Sequence, residues 1–114
     1  MVIIFQVCSI IDHNYQILNP IKNWNVSNGN NFRSMFCGCS SLSDIKPLQN
    51  WNVSNGNNFG SMFSGCSSLT DIKGLEKWNV SNGNIFEGMF YGCSSLRREN
   101  IITKDWRIKN QPID

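Results

Sequence analysis

The sequence predicts an α/β solenoid of about three and a half stacked units, with short parallel strands on one side and two-turn helices on the other. Three observations predict it. Trp24, Trp51 and Trp78 recur every 27 residues, as do Cys39, Cys66 and Cys93, and a fixed period in this range marks a repeat architecture. Phe59, Met62, Phe63 and Cys66 fall at i, i+3, i+4 and i+7, the spacing of one helix face. Leu42, Ile45 and Leu48 recur as Leu69, Ile72 and Leu75, positions suited to inward packing around a short strand.

The repeat is close. Residues 24–50 and 51–77 match at 21 of 27 positions, and the third block matches the second at 15 of 19 through Leu96. A half-copy, Ile17 to Trp24, precedes them, and after Leu96 the pattern decays. The organisation predicted is therefore an N-terminal capping segment over 1–16, a repeat array over 17–96 and a C-terminal capping segment over 97–114. Met1 to Ile11 lacks a basic start and a small-residue cleavage site, so it reads as end-covering chain rather than a cleaved signal.

Within each unit the elements follow in order. Asn30, Asn57 and Asn84 precede the apolar stripe and are expected to cap the helix. Gly38, Gly65 and Gly92 sit near its end, where a left-handed residue stops a helix. A strand is expected at Asp44-Ile45-Lys46 and a second strand-like piece at Trp51-Asn52-Val53. Ser54-Asn55-Gly56-Asn57 then forms a turn, with Gly56 free to take a positive φ. Stacking of such units buries apolar faces that none could bury alone.

Composition excludes several classes. The 114 residues carry a net charge of only +2, with 16% charged, 17 Asn, 14 Ser and no Ala. That balance argues against a nucleic-acid binder. No apolar run reaches the ~18–20 residues of a membrane span. No metal site or cofactor is expected: Cys37-Gly38-Cys39 is not repeated as a pair and has no nearby His. The only histidine, His13, lies in the poorly repeating start of the chain, so no nucleophile has a base beside it. Cys39, Cys66 and Cys93 read as a column of buried free thiols, because a column at sheet spacing is a poor template for disulfides. The tryptophan column Trp24, Trp51 and Trp78 reads as a buried or edge stack rather than a sugar platform.

The run WNVSNGNNFGSMFSGCSSLTDIKGLEKW resembles the BspA-type leucine-rich repeats of bacterial and protist surface proteins, in particular the Mycoplasma-type repeat of unknown function. The resemblance covers roughly residues 17–96. It implies a curved leucine-rich-repeat solenoid serving adhesion or protein interaction, placed at the cell surface or outside the cell. It implies no enzymatic activity and brings no catalytic residues.

The expected function is thus a non-catalytic binding module whose partner is a protein, such as a host or matrix protein, or a glycan. Asp44, Lys46, Asp71 and Lys73 flank inward isoleucines and are the candidate partner-binding face. Asn25, Asn52 and Asn79 head Asn-Val-Ser sequons and are glycosylation candidates in a eukaryotic secretory pathway. The chain is expected to be monomeric or part of a longer array and not transmembrane. Three rival readings are an intracellular scaffold, which the cysteines and the absent signal favour, a polysaccharide-binding Ser/Asn array, and a small thiol enzyme. Columns that vary between units, such as Arg33/Gly60/Glu87 and Cys37/Ser64/Tyr91, are expected on the outer helix face, where change costs packing least.

Overall fold

The computed structural model describes residues 21–114. The capping segment over 1–16, the half-copy up to residue 20, His13 and Cys8 lie outside the described residues. Successive blocks lie one upon another, with the Phe32, Phe59 and Phe86 rings stacked at centroid distances of 5.5 and 5.4 Å. Phe36, Phe63 and Phe90 form a parallel column at 5.4 and 6.2 Å. Phe36 and Phe59 also meet Trp51 and Trp78 of the following block at 6.0 and 6.3 Å.

The predicted fold class is nevertheless wrong in its elements. The described residues contain no strand, only isolated parallel bridges at Asn31–Asn58 and Asn58–Ile85. They contain one short α-helix, α1 (Trp106–Lys109), and 3-10 turns at Lys46–Asn50, Leu75–Lys77 and Arg98–Asn100. An α/β solenoid with parallel strands facing two-turn helices does not form.

The helix fails for a backbone reason. Phe32, Ser34, Phe36 and Gly38 donate their amides to Asn58, Gly60, Met62 and Ser64 of the next block at 2.7–2.9 Å. Phe59, Ser61, Phe63 and Gly65 donate likewise to Ile85, Glu87, Met89 and Tyr91. The intervening amides of Met35, Cys37 and Cys39 turn back to Phe32, Ser34 and Phe36 three residues earlier. A left-handed residue every fourth position, Ser34 (φ 58°) and then Gly38 (φ 79°), breaks any helical run. Alternate amides therefore leave the block instead of closing i→i−4 bonds. The apolar stripe is buried all the same: Phe59, Met62, Phe63 and Cys66 have no exposed surface.

With no helix over the stripe there is nothing to cap, and the side-chain turn falls one residue later than the expected caps. Asn31 and Asn58 accept the Arg33 and Gly60 amides through Oδ1 at 3.0 and 2.9 Å. The expected caps Asn30 and Asn57 instead offer backbone carbonyls to Asn57 and Asn84 of the next block. Gly65 is left-handed at φ 77°, and a Cβ there would sit 3.5 Å from Gly38, an ordinary contact. Gly65→Ala should therefore cost about 1–2 kcal/mol in urea unfolding, the penalty of left-handed backbone alone.

The strand fails too. Leu42, Ile45, Leu48 and Trp51 are all buried, but they follow a period of three. Leu48 donates to Ile45 and Trp51 to Leu48, so the chain runs in i→i+3 turns. Asp44 and Pro47 impose this: the Asp44 carboxylate accepts the Lys46 amide at 2.9 Å, and Pro47 has no amide for a ladder. Trp51-Asn52-Val53 does alternate in and out but belongs to no strand. Gly56 does not take a positive φ; the residue is glycine because a Cβ would collide with the Phe59 ring.

Residues 97–114 lie against the third block. Gly88 donates to Gln111 Oε1 at 3.2 Å and Gly92 to the Ile113 carbonyl at 2.6 Å. Ile101 and Ile108 are buried there, whereas Ile102 and Trp106 are 67% and 71% exposed. Asp105 caps α1 through the amides of Arg107 and Ile108. The Arg107 guanidinium stands 4.5 Å from the Phe86 ring centre and donates to Gly83 and Val80 carbonyls at 2.6 and 3.2 Å.

Candidate functional site

Three-residue turns carry Asp44 and Asp71 to the surface, and both carboxylates are spent partly on their own backbone. Asp71 Oδ1 accepts the Lys73 amide at 3.0 Å, repeating the Asp44–Lys46 contact. Lys46 and Lys73 are exposed, and neither forms an ion pair among the described residues. Next to the first of them an open cleft of about 430 Å³ is lined by Lys22, Asp44, Lys46, Gln49 and Asn50. The structure thus brings Asp44 and Lys46 into one cleft and adds Lys22. Asp71 and Lys73 occupy the equivalent place one block on and do not line it. There Gly74 replaces Pro47 and approaches so closely that a Cβ would lie 3.0 Å from the Lys46 Cα.

A second cleft, of about 470 Å³, is lined among others by Arg33, Ser64, Glu87, Tyr91 and Asp114. Tyr91 is 59% exposed. These variable columns, expected on an outer helix face, instead line a cleft. The available signal was the variation itself: Arg33, Glu87 and Tyr91 all differ from the second block, where Gly60 and Ser64 stand.

Asn25, Asn52 and Asn79 are exposed. Each Oδ1 accepts both the amide and the hydroxyl of the serine two residues on, with hydroxyl distances of 2.6, 2.7 and 2.8 Å. The motif therefore builds a local turn. Trp51 and Trp78 are buried and donate Nε1 to the Ile21 and Leu48 carbonyls, each 30 residues earlier.

The cysteine column is mixed. Cys39 is disulfide-bonded, correcting the expectation of free thiols throughout. Cys66 and Cys93 are free and donate Sγ–H to the Phe36 and Phe63 carbonyls at 3.2 and 3.1 Å. Burial, and secondarily the neighbouring Cys93, raises the Cys66 thiol far above its ordinary value. Burial pushes Cys93 up to about 11. Neither is a ready thiolate. Among the described residues no three His, Cys, Asp or Glu side chains gather as a metal would require, and no helix is long and apolar enough to cross a membrane.

A family model described as "Mycoplasma protein of unknown function, DUF285" matches residues 3–112. Neither the curated proteins nor the solved structures contain a match to the chain.

Proposed function

Since the chain belongs to this Mycoplasma family of unknown function, we propose that it is a non-catalytic binding module that engages an acidic protein surface through Lys22, Lys46 and Lys73. One observation carries the reading: Asp44 and Asp71 turn an oxygen to their own backbone while Lys46 and Lys73 beside them stay exposed, Lys46 at the edge of an open cleft that Lys22 also lines. Lys22, Lys46 and Lys73 stand against the carboxylates of Asp44 and Asp71, so these residues together carry an excess of one positive charge. The buried, proton-holding thiols support the non-catalytic part of the reading. The repeat's resemblance to BspA-type surface proteins supports an adhesive role. The Cys39 disulfide supports an oxidising, exported setting over the intracellular scaffold, because disulfides persist outside the reducing cytosol.

Binding to immobilised poly-glutamate, with neutral dextran as the comparison, tests it. The protein should bind poly-glutamate in a salt-sensitive way. Lys46→Glu with Lys73→Glu should weaken this about tenfold with the circular dichroism unchanged. Equal binding by the variant would refute the face, and retention on dextran lost with Asn52→Ala and Asn79→Ala would favour the polysaccharide reading.

A further inference from the structure

The chain contains three copies of Val-Ser-Asn-Gly-Asn, at 26–30, 53–57 and 80–84. Their turns are alike: Gly29, Gly56 and Gly83 are buried and donate their amides to Val26, Val53 and Val80 at 2.8, 2.8 and 2.9 Å. Asn28, Asn55 and Asn82 are all exposed. They differ in what holds the side-chain amide. Asn55 Nδ2 donates to the Ser27 carbonyl at 2.7 Å, and Asn82 Nδ2 to the Ser54 carbonyl at 2.8 Å. Each reaches back to the preceding block. No equivalent carbonyl stands one block behind Asn28 among the described residues, and its side chain makes no hydrogen bond there.

We propose that Asn28 is a site of spontaneous covalent modification, by deamidation through a succinimide, and that Asn55 and Asn82 are protected from it. The Gly29 backbone nitrogen loses its proton to hydroxide and attacks Asn28 Cγ. The N–Cγ bond forms, the Cγ–Nδ2 bond breaks, and the amide leaves as ammonia after taking a proton from water. Water then opens the ring at either imide carbonyl, leaving aspartate or isoaspartate. No oxidant, reductant or cofactor takes part. Glycine is the follower that permits this approach, since it puts no Cβ beside the attacking nitrogen. The turn hydrogen bond at the glycine amide must open in all three copies and slows them alike. The bond between blocks acts only at Asn55 and Asn82, where it ties the leaving amide to a neighbouring carbonyl and so restrains rotation of the side chain. Conversion of Asn28 lowers the net charge from +2 to +1 by creating one carboxylate.

Identical neighbours make the comparison internal to one molecule. The folded chain is incubated in mildly alkaline buffer and digested with trypsin, which separates the three sites into peptides 23–33, 34–73 and 78–97. Mass spectrometry then reads the asparagine-to-aspartate conversion at each. Asn28 should convert about fivefold faster than Asn55 and Asn82, the factor one net hydrogen bond supplies. In urea the three rates should converge. Equal rates in the folded protein, or faster conversion at Asn55 or Asn82, would overturn the proposal. Amide hydrogen exchange separates the cause: protection of Gly29 equal to that of Gly56 supports it. An unprotected Gly29 would assign the reaction to local unfolding and overturn it.

Discussion

Phe59→Ala should remove about 3–5 kcal/mol of stability, a large part of what a domain of this size possesses. The ring is fully buried and lies between Phe32 and Phe86, with Trp78 tilted against it at 6.3 Å. It also closes over Gly56, where no Cβ fits. Truncation opens a cavity between backbones whose spacing is held by amide bonds on both sides, so the blocks cannot collapse to fill it. The urea midpoint measures the loss. A cost below about 1 kcal/mol would show that the column is loosely packed and that the backbone bonds between blocks suffice.

Arg107→Ala should cost about 2–3 kcal/mol, unusually much for a residue near a chain end. The side chain joins Asp105 at 2.7 Å, holds the Gly83 and Val80 carbonyls, and covers the outer face of the Phe86 ring. Where a fourth phenylalanine would continue the column, a guanidinium satisfies both the ring and the carbonyls. Lysine cannot replace that planar fork, so Arg107→Lys should recover less than half of the loss. The contact also titrates. Hydrogen bonding from Arg107 lowers the Asp105 carboxyl below its ordinary value. A depressed folded-state value contributes stability that is full above the unfolded carboxylate range and is lost as pH falls through the folded one. The stability gap between the protein and Asp105→Asn should therefore be widest near neutrality and close in acid. A gap independent of pH would refute the pairing.

Much of the interior was legible. Each residue of the Phe-Met-Phe-Cys stripe is buried, as are Leu42, Ile45 and Leu48, because side-chain apolarity at a recurring position reports burial whatever the backbone does. The elements were not legible from that pattern. Spacing of i, i+3, i+4 and i+7 suits a helix, and it equally suits two successive four-residue turns with left-handed residues at Ser34 and Gly38. The leucine segment did carry a signal against a strand: a period of three is not the alternation of two that a strand requires, and Pro47 stands inside it. At the candidate site, the exposure of Lys46 and Lys73 followed from their flanking an inward isoleucine. That Asp44 and Asp71 would turn to backbone amides was available only from their placement two residues before those donors. The mixed cysteine column was beyond the repeat's reach, since Cys39, Cys66 and Cys93 occupy one repeat position and only Cys39 is disulfide-bonded.

By itself the sequence determined the 27-residue period and the set of side chains that must face inward, because both are properties of residue identity and recurrence. Where the backbone amides go was decided by the tertiary structure alone. An amide at Phe36 can close onto its own turn or cross to Met62, and the inward pattern is the same either way. The carbonyl of the neighbouring block lies 2.8 Å away only once the blocks have stacked, and that bond turns a predicted helix into a ladder of turns.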